Sequence, residues 1–261
     1  MIRVGVFGAA GRMGRTVCEA VVADPALELV AAVDPLHAGL DLRHVCQVDA
    51  DLHVDPHAEA LLDAKAEVVV DFTHLEAACE NLDFAAEHGI HAVVGTTGFT
   101  DDDFARLAAA FTRSSCLIAP NFAIGAVLMM RFAELAAPWF ETAEVIELHH
   151  DQKVDAPSGT AMLTLERMAA ASSEWAPDPT TTEVLPGARG AKGPGGITVH
   201  SVRLRGLVAH QEVLLGTTGQ GLSIRHDSYD RSSFMPGVLL AIKEVAKRPG
   251  LTVGLDALLF D

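Results

Sequence analysis

The opening residues constrain this chain more than any later stretch. Ile2–Phe7 is β-rich and alternating, Gly8-Ala9-Ala10-Gly11-Arg12-Met13-Gly14 follows at once, and Arg12–Ala23 has the spacing of an amphipathic helix that stops near Asp24-Pro25. A second buried strand, Leu27–Val33, ends in Asp34-Pro35. Strand, glycine turn, helix and strand make a βαβ unit, which commits the chain to a parallel sheet covered by helices. The glycines are spaced GxxGxxG rather than GxGxxG, so the pattern alone could be an ordinary tight turn. Its position straight after a first strand gives it meaning. Glycines let the backbone approach a pyrophosphate, and the helix N-terminus supplies N–H groups and a positive dipole end. Asp34 lies twenty residues beyond Gly14, where an acidic side chain takes the adenosine ribose hydroxyls of a dinucleotide.

The same rhythm continues. Ala66–Phe72 reads as a strand, His74–His88 as a helix, Ile90–Val94 as a strand, and Thr100 and Asp101 cap a helix to about Arg113 before a strand at Cys116–Ala119. Asp71-Phe72-Thr73, Gly95-Thr96-Thr97-Gly98 and Ala119-Pro120-Asn121-Phe122 all follow strand C-termini, the edge at which open α/β sheets bind ligands. Near Asn121 the pattern changes. A long apolar helix is predicted from about Ile124 to Phe140, with Met129, Met130 and Phe132 read as core, then a strand at Ala143–Leu148 and a helix at about Gly159–Ala171. Pro186–Gly196 is a loop rich in Gly and Pro, and Ile197–Arg205, His210–Leu215 and Leu222–His226 follow as strands with no helices between them. This is a second, α+β unit. Ser233–Lys247 returns to helix, and the tail from Leu251 is placed back on the first unit.

Composition restricts the ligands. With a net charge of −16, nucleic acid is excluded as a partner, because phosphate backbones require a surplus of Lys and Arg. No stretch reaches the roughly 18 apolar residues of a membrane helix. The N-terminus shows no signal-peptide pattern, and the four cysteines form no CxxC pair and read as reduced. A cytoplasmic protein without membrane or nucleic-acid partners is expected. An anionic ligand must then be met by a local cluster of cations. That cluster is Glu147-Leu148-His149-His150-Asp151-Gln152-Lys153-Val154-Asp155-Ala156-Pro157-Ser158-Gly159-Thr160. Two histidines and a lysine fall within five residues, just before a helix start at Ser158, Gly159 and Thr160. They offer cations for one carboxylate, N–H and hydroxyl groups for another, and titratable groups for proton delivery. A zinc site is disfavoured, because adjacent histidines on a strand face opposite ways and no third ligand stands at the usual spacing; no metal is expected. A second basic stretch, Val184–Gln211, carries Arg189, Lys192, Arg203 and Arg205 without a carboxylate, and reads as a mobile lid, an oligomer contact or plain exposed loop.

The segment 147–160 resembles the signature of the 4-hydroxy-tetrahydrodipicolinate reductases, also called dihydrodipicolinate reductases. GAAGRMG, DFT, GTTG, APNFAIG, GLVAHQEV and RSSFMPG agree with that family in order and spacing, over essentially the whole chain and with an actinobacterial character. The HHxxKxDAPSGTA block is highly specific, whereas the glycine turn is not. The resemblance implies that Gly8, Ala9, Ala10, Gly11, Arg12 and Met13 hold the pyrophosphate of NADH or NADPH and Asp34 the adenosine ribose. It implies that Phe72, Gly95, Thr96, Thr97, Ala119, Pro120, Asn121 and Phe122 line the nicotinamide side. His149 becomes the acid/base residue, Lys153 the proton donor, and His150, Ser158, Gly159 and Thr160 the binders of a small cyclic dicarboxylate. Many members carry a basic residue directly after the position of Asp34. Pro35 supplies none here, so NADH is expected to serve at least as well as NADPH. The implied organisation is a Rossmann-type dinucleotide-binding domain over residues 1–122 and 231–261. An α+β domain over residues 123–230 would bind substrate and build a homotetramer. The implied reaction belongs to diaminopimelate and lysine biosynthesis.

Two other functions compete. A homoserine-type dehydrogenase shares the two-unit layout; a semialdehyde dehydrogenase does not compete, since it requires a cysteine nucleophile in its second unit and no Cys follows Cys116. A non-enzymatic dinucleotide sensor has no use for His149, His150 and Lys153 gathered before a helix N-terminus.

Overall fold

The computed structural model describes residues 1–46 and 48–260. The chain forms two compact units, Met1–Phe122 with Arg231–Asp261, and Ala123–Asp230. The first unit contains, in chain order, β1 (Ile2–Phe7), α1 (Arg12–Ala23), β2 (Leu27–Val33), α2 (Leu42–Cys46), α3 (Ala60–Asp63), β3 (Val68–Asp71), α4 (Leu75–His88), β4 (His91–Val94), α5 (Asp101–Ala110) and β5 (Ser115–Ile118). The second contains α6 (Ile124–Ala136), β6 (Thr142–His149), α7 (Gly159–Ala171), β7 (Ala191–Lys192), β8 (Thr198–Arg203), β9 (Ala209–Thr217) and β10 (Gln220–Ser228). The chain then returns to the first unit as α8 (Met235–Glu244), β11 (Gly250–Val253) and α9 (Asp256–Leu259).

The first unit is a six-stranded sheet in the order β11-β5-β4-β3-β1-β2, parallel throughout. Its strands are apolar on both faces because both are covered. Phe7, Val33, Val69, Val94 and Ile118 pack with Leu82 of α4 and Leu107 of α5. Their alternates Val4, Val6, Val70, Val93 and Leu117 are as fully buried on the opposite side, where α1 and α8 lie against the strands and each other. Helix α1 buries Gly14, Val17, Cys18 and Val21, the i, i+3, i+4, i+7 stripe of an amphipathic helix. Helix α5 starts in a capping box, Thr100 Oγ1 accepting from Asp103 N at 3.2 Å while Asp103 Oδ2 accepts from Thr100 N at 2.9 Å. From β1 the chain runs to β2 on one side and later to β3 on the other. The glycine turn therefore sits at the switch point where parallel sheets open a crevice beyond their strand ends.

The second unit is a mixed sheet in the order β10-β9-β6-β8-β7. β6 pairs antiparallel with β9 and parallel with β8, the crossover between β6 and β8 running through α7. Ala161, Leu165 and Met168 of α7 and Ala133 of α6 pack on Val145, Val199, Val213 and Leu215 of the sheet. Three expectations need correction here. The helix from Ile124 ends at Ala136 rather than Phe140, because Pro138 starts a 3₁₀ turn over Ala137–Trp139. Met129 and Met130 are core, but Phe132 is half exposed on the outer face of the same helix. The Gly/Pro-rich stretch is not wholly loop: Ala191–Lys192 pairs with β8, and Gly193 N donates to Ile197 O at 2.9 Å.

Candidate active site

In the first unit, every residue expected to touch a dinucleotide lies at the C-terminal edge of the parallel sheet. Gly8 has φ +61°, a conformation that glycine adopts without strain, and its carbonyl accepts from Gly11 N at 2.9 Å. A Cβ on Gly14 would stand 2.0 Å from Gly8 O, so α1 can start this close to β1 only with glycine there. Gly11 caps α1 without a side chain, and the first helical turn carries no acidic residue. The N–H groups of that turn are thus left to an anion. Ala9 and Ala10 are buried beneath the turn, Met13 is half-buried and Arg12 exposed. These features fit a dinucleotide pyrophosphate.

Asp34, at the end of β2, is nearly buried. Its Oδ2 accepts from Ala10 N at 3.2 Å and its Oδ1 from Leu36 N at 3.1 Å, so the carboxylate is tied to the glycine turn. Pro35 brings no charge, but it starts a 3₁₀ turn that swings His37 Nδ1 to 3.0 Å from Asp34 Oδ1. Sequence spacing did not reveal this neighbour. Beyond β3 and β4, a Cβ on Gly95 would fall 1.9 Å from the Phe72 ring; glycine makes room for that ring, which packs 5.7 Å from the ring of Phe122. Fully buried Asp71 holds this edge together, accepting from Thr73 N and Thr73 Oγ1, each at 2.7 Å, and from Asn81 Nδ2 at 2.7 Å. Thr96 is buried and donates to Thr73 O at 2.8 Å, leaving Thr97 exposed. After β5, Ala119 and Phe122 are buried, Asn121 is half-buried and Pro120 exposed.

In the second unit, β6 alternates, and its inward positions include Val145 and Glu147. A glutamate thus occupies a core position with no exposed surface. Its Oε1 accepts from Arg203 Nη2 at 2.8 Å and Ser158 N at 3.2 Å; its Oε2 accepts from Arg203 Nη1 at 2.8 Å and contacts His149 Nδ1 at 2.5 Å. Burial acts to raise the Glu147 pKa, but the bonds from Arg203, Ser201 and His149 outweigh it and hold the group below the ordinary carboxyl range. Burial pushes His149 below the ordinary imidazole range, helped by the nearby charges of Lys153 and Arg203, and Glu147 only partly offsets this. Arg203 also donates to Lys153 O at 3.3 Å and Asp155 O at 2.6 Å, fastening the loop between β6 and α7. Lys153 Nζ lies 2.8 Å from Asp155 Oδ1, and that ammonium draws the Asp155 carboxyl down.

Ser158 is buried, and its hydroxyl caps α7 by accepting from Ala161 N at 3.2 Å; that hydroxyl serves the helix. Gly159 is exposed, and a Cβ there would meet nothing within 4 Å. No packing within the protein requires a glycine there. His150 is exposed at the end of β6, and its carbonyl accepts from Lys153 N at 3.2 Å, turning the loop back. His149, His150, Lys153, Gly159 and Thr160 are therefore gathered around one strand end and one helix start.

The basic stretch 184–211 is not a set of idle charges. Arg189 bonds Glu144 at 2.6 Å and Asp178 at 3.3 Å, Lys192 bonds Asp178 at 2.8 Å, and Arg205 bonds Asp151 at 2.9 Å. Glu147 and Arg203 are the two residues whose part in the site sequence reasoning missed. The available signal was a glutamate two positions before His149 on an alternating strand, which places both on one face.

Residues 2–122 match the family described as "Dihydrodipicolinate reductase, N-terminus" and residues 125–259 the one described as "Dihydrodipicolinate reductase, C-terminus". The chain belongs to the dihydrodipicolinate reductase family. Among curated relatives, the 4-hydroxy-tetrahydrodipicolinate reductase of Nocardia farcinica is 56% identical over 99% of this chain and 98% of that one. The enzyme of the same name from Mycobacterium sp. strain KMS is 53% identical over 99% of both. A dipicolinate-bound dihydrodipicolinate reductase from Paenisporosarcina sp. TG-14 superposes with a TM-score of 0.87 at 42% identity, covering 98% of this chain and 99% of that one. This member of the dihydrodipicolinate reductase family matches both of the family's halves, and among its described residues no helix is long and apolar enough to cross a membrane.

Proposed function

We infer that this chain reduces 4-hydroxy-tetrahydrodipicolinate to tetrahydrodipicolinate at the expense of a reduced nicotinamide dinucleotide, a step of diaminopimelate and lysine biosynthesis. The observation that carries the reading is the pairing of His149 with buried Glu147 beside Lys153, directly ahead of the α7 N-terminus. When bound, the dinucleotide supplies the hydride.

The chain's own residues do the rest. The glycine turn and α1 hold the pyrophosphate, and Asp34 accepts from the adenosine ribose. The first-turn N–H groups of α7 at Gly159 and Thr160 receive one substrate carboxylate, and His150 and Lys153 face the other charge. Lys153 delivers the proton that balances the hydride, water leaves the hydroxylated ring, and His149 exchanges protons through the ring nitrogen turned away from Glu147. We read NADH as serving at least as well as NADPH, since Asp34 repels a 2′-phosphate. We read the assembly as a cytoplasmic homotetramer built through the second unit's sheet, on the strength of the family resemblance; light scattering on the purified protein tests the assembly.

The decisive assay follows NADH and NADPH oxidation with freshly generated 4-hydroxy-tetrahydrodipicolinate. Turnover with both is expected, with kcat/KM for NADH equal or higher. No turnover refutes the function. A preference for NADPH of about tenfold, roughly 1.4 kcal/mol, overturns the cofactor reading alone.

A further inference from the structure

We propose that Glu147 is the positioning residue of this site: clamped by Arg203, it binds His149 through Nδ1 and so makes Nε2 the nitrogen that exchanges protons. The proposal rests on the reading of His149 as the acid/base residue. It begins from an accounting of donors. Oε1 of Glu147 accepts from Arg203 Nη2 and Ser158 N, Oε2 accepts from Arg203 Nη1 and contacts His149 Nδ1, and the Ser201 side chain bonds the same carboxylate. A carboxylate accepts only, and guanidinium and backbone N–H donate only. The 2.5 Å contact therefore requires a hydrogen on Nδ1, and the neutral ring must carry its lone pair on Nε2. Arg203 keeps the carboxylate ionised inside the core, and through its bonds to the carbonyls of Lys153 and Asp155 it ties the Lys153 loop to the same point. One buried charge thus registers the imidazole and the ammonium together.

An amide of the same shape cannot replace it. In Glu147→Gln the single oxygen is drawn to the Oε1 position, where Ser158 N and Arg203 Nη2 both donate. The NH₂ group then faces Arg203 Nη1, which has no lone pair to offer, and His149, so it donates to Nδ1 and puts the ring proton on Nε2. The variant inverts the tautomer while conserving volume. The charged groups facing His149 are Glu147 on its own strand, Arg203 opposite it on β8 and Lys153 on the following loop, while β9 sets Ala209 opposite it. With Glu147 neutral, only cations remain among these charged groups, so the His149 pKa falls further.

The test uses the full chain labelled with ¹⁵N-histidine. In the wild type, the His149 ring is expected to show the Nδ1–H neutral tautomer at neutral pH. In Glu147→Gln it is expected to show the Nε2–H form. The acidic limb of the pH–kcat profile should move to lower pH, kcat should drop roughly 10²-fold, and NADH affinity by calorimetry should hold. An Nε2–H tautomer in the wild type overturns the proposal without recourse to any variant. So does an unchanged tautomer and pH profile in a folded Glu147→Gln protein. His149→Gln separates the two readings: if it retains full kcat, the acid/base role of His149 fails, and the tautomer spectra still decide the Glu147 coupling.

Discussion

Arg203→Met removes the guanidinium bonded to both oxygens of Glu147 and preserves most of the side-chain volume. Glu147 has no exposed surface, and it loses two bonds of 2.8 Å. What remains is a buried carboxylate with one backbone N–H, the Ser201 side chain and one imidazole. Breaking a buried pair from one side costs about 3–5 kcal/mol, which for a unit of this size lowers the melting midpoint by roughly 10–20 °C. The pH dependence has a definite sign. In the native protein the Glu147 pKa is depressed, so its contribution is present above the unfolded carboxyl pKa and is lost as pH falls through the lower folded value. In Arg203→Met, burial acts without its main opponent, the folded pKa rises, and the variant binds a proton earlier than the unfolded chain does. The stability gap between variant and wild type should therefore be widest near neutral pH and narrow toward about pH 5. Urea unfolding monitored by circular dichroism at both pH values measures it. Glu147→Leu combined with Arg203→Met should recover much of the loss at neutral pH and yet remain inactive. A single-variant cost below about 1 kcal/mol, or a gap that widens in acid, would refute the argument.

Lys153→Ala should lower kcat by roughly 10²–10⁴-fold with NADH affinity by calorimetry nearly unchanged; joint collapse of both would make Lys153 a structural residue. Thr160→Val should weaken a pyridine dicarboxylate much more than a pyridine monocarboxylate, and equal losses in a titration would remove the α7 N-terminus from substrate binding. Gly14→Ala places a Cβ 2.0 Å from a backbone oxygen that cannot step aside. NADH affinity should fall by about tenfold or more while the dicarboxylate analogue still binds, and unchanged NADH binding would disprove the role given to the turn.

Local patterns proved readable where the physics is local. Ile2–Phe7, Arg12–Ala23, Leu27–Val33 and Gly159–Ala171 begin and end where glycine, proline and cap residues said they would. The cluster from His149 to Thr160 was legible because its members are neighbours along the chain. The arrangement that organises it was not. Glu147 and Arg203 are 56 residues apart, and only the parallel register of β6 on β8 sets Arg203 beside His149. Read alone, the basic run from Arg189 to Arg205 looked unpaired, because its carboxylates come from Glu144, Glu147, Asp151 and Asp178. Likewise Pro35 hid His37, which a 3₁₀ turn brings back onto Asp34. Spacing rules anticipate neighbours along strands and helices, and they are silent about partners delivered by a crossover or a turn.

The place of β11 has a consequence for synthesis. Strand β5 is bordered on one side by β4 and on the other by β11, which is made only after the whole of the second unit. As the chain leaves the ribosome, β6 to β10 and both of their helices emerge as one contiguous stretch and can close their own core. Meanwhile the first sheet waits with Cys116, Leu117 and Ile118 along an open edge. Unpaired apolar edges of this kind recruit other chains. The interval between residues 118 and 250 is accordingly the period in which a ribosome-bound chaperone would matter most. A stall or truncation that withholds Gly250–Val253 should yield aggregates seeded by the nucleotide-binding half, while the inserted unit folds on schedule.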